Sequence, residues 1–138
     1  MSVLEENRKI IHRYFNEAWN LGCLDVLDEV LSLDYVNHNP GLANPKPGPA
    51  GLKPVVTAMR EGFPDLHYTV RRMLVSEDQV AIYVDMTGTH TGDFFGIPAT
   101  GKTVQVSQMQ FERIESGLIV EHWRVTDDLE MLKQLGLN

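Results

Sequence analysis

An α+β fold, with N-terminal helices packed on a curved, mainly antiparallel sheet and a short C-terminal helix, is predicted by three features of the sequence. Apolar residues recur at three- and four-residue spacings in 3–20, 24–31 and 51–62. From Leu66 to Thr126 the period changes to two. Some links between the period-two segments, "SED" and "ESG", are short, which favours antiparallel neighbours. At 138 residues the chain is sized for one core, so residues 1–138 are expected to form a single domain.

The elements follow in order. Val3, Ile10, Ile11, Tyr14, Phe15, Ala18 and Trp19 make an amphipathic stripe, predicting a helix over 3–20 that ends near Gly22. Leu24, Leu27, Val30 and Leu31 share a face of a second helix over 24–31. The stretch 34–51 holds Pro40, Pro45, Pro47 and Pro49, four of the seven prolines, and reads as an irregular loop long enough to serve a site or a lid. A third helix is expected over 51–62, with Pro54 tolerable only in its first turn. Strands are expected over 66–76, 79–90, 102–115 and 118–126, rich in Val, Ile, Tyr, Phe and Thr. A helix over 127–136 closes the fold, packing Leu129, Leu132 and Leu135 on the sheet and ending at Gly136. Strand alternation sends Tyr83, Thr87, Thr89, Met109 and Phe111 to the outer sheet face, where they point to a homodimer.

Composition narrows the function classes. A net charge of −7 and a pI near 5.1 oppose binding to nucleic-acid phosphates. No apolar run approaches the ~18 residues of a membrane span, and the first residues carry charges every few positions, so the expectation is a cytoplasmic protein without membrane contact. Cys23 is the single cysteine and reads as a small buried residue. His38, His67, His90 and His122 are scattered without metal-motif spacing, so no metal is expected. The glycines of "TGTHTGDFFGIPATG" lack the Lys-Ser/Thr pair of a phosphate loop.

Chemistry concentrates at the junction of the last strand and last helix. Ile119, Glu121, Trp123 and Val125 share one strand face, and continued alternation brings Asp127 to the same side at the mouth of an aromatic cavity. A carboxylate losing hydration there becomes an acid/base near neutral pH. Asp127 followed by Glu130 also fits a capping box, which needs only local sequence; alternatively Thr126 caps, leaving Asp127 and Asp128 as first-turn charges. By alternation His122 points away from Trp123, to the surface or an interface. His38, at the edge of the long loop, is a pocket donor or a loop histidine bonded to backbone. His90 orients substrate at a strand end or stabilises a turn. Gln108 and Gln110 share a face with Val104 and Val106 and either hydrogen-bond a carbonyl or enol or meet solvent at the sheet edge. Trp19, Trp123 and Phe63 are core residues that can also line a cavity.

With "NHNPG", "FPDLHYTV", "GTHTGDFFGIPATGKTV" and "GLIVEHWRVTDDLEMLKQLG" in this order, the chain resembles the SnoaL-like polyketide cyclases of the nuclear-transport-factor-2-like superfamily over nearly its whole length. The resemblance implies a conical cavity between helices and sheet, frequent homodimers, and an intramolecular aldol closure without metal or organic cofactor. It assigns the acid/base role to Asp127, four residues past Trp123, and a second site role to His38. Gln108 and Gln110 occupy the strand where the family's histidine partner is sought.

The reading is therefore an acid/base cyclase acting on a small hydrophobic, carbonyl-containing molecule: Asp127 removes a proton alpha to a carbonyl, and the enolate attacks a second carbonyl. Isomerisation or hydrolysis in the same pocket, or a non-catalytic module whose cavity holds a hydrophobic ligand or whose sheet face holds a protein partner, are the rivals.

Overall fold

The computed structural model describes residues 1–41 and 45–137. Helix α1 (Val3–Arg13) starts where the Ser2 hydroxyl accepts the Glu5 N–H at 3.2 Å, with Glu5 and Glu6 favourably placed in its first turn. It runs into a π-helical turn (Tyr14–Trp19), closed by Asn20 N–H donating to Phe15 O. This wider turn buries Tyr14, Phe15, Ala18 and Trp19 together. Helix α2 (Asp25–Val30) leads directly into strand β1 (Leu31–Asn37). Helix α3 (Pro49–Gly62) follows, then β2 (His67–Val75), β3 (Gln79–Thr89), β4 (Thr103–Glu115), β5 (Leu118–Thr126) and helix α4 (Asp128–Leu135).

The five strands form one sheet in the order β1-β5-β4-β3-β2, antiparallel except for the parallel β1–β5 pair. Strand β1 lies inside stretches expected as helix and loop; its partner is far along the chain, and its alternation is broken by the irregular step between Leu31 and Val36. Helix α3 begins earlier than expected because Gly48, at φ 71°, turns the chain and Pro49 opens the helix. A Cβ at Gly48 would lie 2.6 Å from Leu33 O. Pro54 consequently sits inside the helix rather than in its first turn. The middle of the proline-rich stretch, 42–44, lies outside the described residues.

The core fills the concave side of the sheet. Ile11, Phe15, Leu27, Val56, Phe63 and Ile119 are fully buried there, each stabilising the fold by about 1.5–3 kcal/mol. Val80, Ile82, Val84 and Met86 of β3 line the same side. Met109 and Phe111 are exposed on the convex side, as alternation predicts. Leu135 of α4 packs into the core as expected, whereas Leu129 and Leu132 remain exposed. Cys23 is exposed rather than buried, because it sits in the turn between the π-helical segment and α2, where its N–H donates to Glu17 O. No helix of the described residues is long and apolar enough to cross a membrane.

Candidate functional site

One step in register decides which side chains of β5 face inward. On β4 the pairs are Arg113 with Glu121 and Ile114 with Ile119, so β5 carries one extra residue, Val120, in a bulge. Alternation therefore reverses between Ile119 and His122. Ile119 and His122 are both buried although three residues apart, and His122, Arg124 and Thr126 face the helices. Trp123 is correspondingly on the convex side, stacked on His38 with ring centroids 4.7 Å apart. The expectations that Trp123 faces inward and His122 outward are corrected by this bulge.

The inner face encloses a cavity of about 240 Å³. The helices contribute Trp19, Val55 and Met59, the sheet Tyr68, Met86, Gln108, Arg124 and Thr126, and α4 Asp128 and Met131. Phe94 and Phe95, from the β3–β4 connection, complete the wall together with Pro40 and Gly41. A larger concavity of about 640 Å³ lies on the convex face beside Met109, Phe111, Trp123 and Val125. The inner cavity is the better site for chemistry, since polar groups converge within an aromatic enclosure.

Several contacts fix these walls. Asn20 accepts the Tyr68 N–H at 2.7 Å and donates to Tyr68 O at 3.0 Å, while Arg60 donates to Trp19 O and Asn20 O. Trp19 and Tyr68 meet edge to face at 5.2 Å. Gln110 donates to Gln108 Oε1 at 2.7 Å, which leaves the Gln108 amide N–H groups beside the weakly accepting Met86 sulfur at 3.9 Å. Both glutamines are buried, so the solvent-facing alternative is excluded. Burial pushes the Tyr68 hydroxyl above its ordinary pKa, against the pull of the Arg124 charge and the Gln108 hydrogen bond, so it remains a donor.

Behind this cavity the polar stripe continues into the core. Glu112 and His122 are both buried and paired, Oε1 to Nδ1, at 2.5 Å. Burial raises the Glu112 pKa, opposed by the His122 charge and hydrogen bond and by Arg124. Nothing in a single strand's sequence marks this pair: Glu112 falls in the same alternating series as Gln108 and Gln110, but its partner His122 lies on another strand.

The two aspartates at the strand–helix junction separate. Asp127 is the N-cap of α4: its Oδ1 accepts the Glu130 N–H at 3.2 Å, and the side chain is exposed, outside the cavity lining. Asp128, next in sequence and likewise exposed, lines the cavity rim. His38 Nε2–H donates to Glu121 Oε2, 2.8 Å away on the convex side. Trp19 and Gln108 line the cavity. Gln110 and Phe63 support it from behind: Phe63 stacks on His90 at 5.3 Å and meets Phe94 edge to face at 5.2 Å. His90 is fully buried and holds the β3–β4 connection, with Thr100 N–H donating to its Nδ1 and Thr100 Oγ1 3.0 Å from the same atom.

The profile of the SnoaL-like polyketide cyclase family matches residues 9–135. The aklanonic acid methyl ester cyclase DnrD of Streptomyces peucetius is 31% identical over 126 residues, covering 87% of this chain and 84% of that protein. The nogalonic acid methyl ester cyclase of Streptomyces nogalater is 28% identical over 121 residues, 86% of this chain and 90% of that protein. Among solved structures, IdmH of Streptomyces antibioticus is 34% identical with a TM-score of 0.80, covering 94% of this chain and 98% of that one. TsrD of Streptomyces laurentii superposes with a TM-score of 0.88 at 25% identity, covering 97% of each chain.

Proposed function

Because this chain belongs to the SnoaL-like polyketide cyclase family, we propose that its inner cavity closes a ring in a small polyketide-type carbonyl compound by an intramolecular aldol step. The observation that carries the reading is an acid, Asp128, on the rim of the same aromatic cavity that holds amide, phenol and guanidinium donors from Gln108, Tyr68 and Arg124. The family resemblance favours Asp127; the geometry favours Asp128, since Asp127 is engaged in capping α4.

In the proposed reaction the Asp128 carboxylate takes the proton alpha to a carbonyl. The enolate oxygen accepts hydrogen bonds from the cavity donors, Gln108 foremost, because Gln110 already occupies its amide oxygen. The enolate carbon then bonds to a second carbonyl carbon of the same molecule, whose C=O π bond breaks. The resulting alkoxide recovers the proton from Asp128, so the step consumes no co-reactant. Trp19, Phe94 and Phe95 exclude water and hold the chain folded. The relatives' names place methyl esters of polyketide acids among the substrates of this family, and a compound of that general kind is the proposed ligand.

A homodimer through the convex face is also proposed, supported by the exposure of Met109, Phe111 and Val125 on it. The catalytic proposal is tested by product analysis on a panel of aryl polyketones and their esters: cyclised products are expected from the native protein and not from Asp128→Asn. Cyclisation unaffected by that substitution would overturn the assignment, and saturable binding without product from any member would favour a ligand-binding module.

A further inference from the structure

We infer that Phe95, at the tip of the β3–β4 connection, is a specificity-determining residue that covers a planar aromatic ring of the cavity's ligand. The inference rests on that cavity being the substrate site. Phe94 and Ile97 bridge each other in antiparallel fashion, each N–H donating to the other's carbonyl at 3.0 and 2.9 Å, so Phe95 and Gly96 form a two-residue loop. Their φ values are 47° and 83°. Positive φ at both positions is the type I′ pattern, which favours Asn-Gly, Asp-Gly or Gly-Gly. Gly96 suits it; Phe95 does not, because in the left-handed region a Cβ crowds the following carbonyl and a bulky residue is strained.

The same pattern occurs a second time in the molecule. Between β4 and β5 the pair Glu115–Leu118 flanks Ser116 and Gly117, whose φ values are 52° and 76°. There the first position holds a small polar residue, so the hairpin geometry does not itself call for phenylalanine. Nor does the core: Phe95 is 46% exposed, whereas Phe63 is fully buried. Backbone strain and exposed apolar surface thus fall on one residue, and that residue lines the inner cavity.

Strain of this kind persists where the surrounding structure fixes it, and it clusters at ligand clamps. Aromatic contacts run from His90 to Phe63, from Phe63 to Phe94 and from Phe94 to Phe95, at centroid separations of 5.3, 5.2 and 5.0 Å. Phe95 is the outermost ring of this series, and a ligand ring in the cavity extends it. A planar π system offers the edge-to-face or offset contact that a phenyl ring favours; a saturated ring of similar size offers apolar area alone. Phe95 therefore selects for ligands whose covered end is aromatic, and the strained turn holds its ring in place before the ligand arrives.

The test titrates 2-tetralone and trans-2-decalone, ketones that share a skeleton and differ in one aromatic ring, into native protein, Phe95→Asn and Phe95→Gly. Binding is followed by NMR, and thermal unfolding of each protein is recorded. The native protein is expected to bind 2-tetralone at least about threefold more tightly than the decalone. Both substitutions should remove that preference while leaving the decalone's affinity within about twofold of native. The thermal midpoint of Phe95→Asn should equal or exceed the native one, since asparagine accepts the turn that phenylalanine strains. A preference that survives in either folded variant, or a native protein that binds the two ketones equally, overturns the inference and leaves the cavity reading intact. A midpoint lowered in both variants, or failure of both to fold, also overturns it, because the ring then serves the fold. If neither ketone binds and no shift maps to the cavity, the inference and the cavity reading fail together.

Discussion

Asp127 and Asp128 are adjacent, yet the turn from β5 into α4 gives them separate roles. Asp127→Ala should cost about 1 kcal/mol through loss of the cap, read by denaturant unfolding, with turnover per folded molecule retained. Asp128→Asn should leave unfolding within about 0.5 kcal/mol of native and remove turnover. Glu112 provides a pH test. Burial raises its pKa above the usual 4.5, so its contribution to stability is full below that value and declines as pH rises through the folded-state pKa. Glu112→Gln keeps an acceptor for His122 and removes the titration. The stability difference, native minus variant, should fall as pH increases from below 4.5, measured by urea unfolding across a pH series; a difference that rises would contradict the burial argument. At this scale Trp19 was legible as a buried residue beside the cavity, because helical periodicity sets its direction, whereas for Gln108 cavity and solvent stay open alternatives until the sheet fixes its face. Arg124 and Glu112 were not legible, because the bulge that turns Arg124 inward and the buried partner of Glu112 are both defined only across strands.

At the scale of elements, the bulge at Val120 governs the site. Strict alternation aims Trp123 and Asp127 inward; one inserted residue turns His122, Arg124 and Thr126 there instead. No pattern within 118–126 announces that residue, since the insertion is defined only against β4. The same reason hid β1, whose partner lies in β5. The period-two segments β2 to β4 and the closing helix α4 were legible, because periodicity and the Asp127 and Gly136 caps are local signals. The β3–β4 connection carries a prediction of its own. Gly92 approaches the end of α3 so closely that a Cβ would lie 2.0 Å from Glu61 O. Gly92→Ala should push this connection off α3, displacing Phe94 and Phe95 from the cavity wall. The expected result is weaker binding of aromatic ligands and faster amide exchange across 91–101; unchanged exchange and affinity would contradict that packing.

For the whole molecule, the α+β architecture with helices on the concave side of the sheet was legible from the change of period alone. The cone's inner cavity came from the family resemblance, which periodicity cannot supply. The convex face leaves Val125 at 73% and Met109 at 58% exposure, apolar side chains in register across β4 and β5. If that face joins two copies, Val125→Glu should convert a dimer mass to a monomer mass in light scattering without unfolding the protein; a native protein already monomeric at high concentration would contradict the dimer. The central claim is that an acid on the cavity rim removes a proton alpha to a carbonyl, and it can be examined before the natural substrate is known. The measurement is NMR detection of deuterium uptake at the alpha positions of 2-tetralone in D2O, with native protein, Asp127→Ala and Asp128→Asn. The account predicts accelerated exchange with the native protein and Asp127→Ala, and background exchange with Asp128→Asn; acceleration that persists in Asp128→Asn, or that disappears in a folded Asp127→Ala, would contradict it.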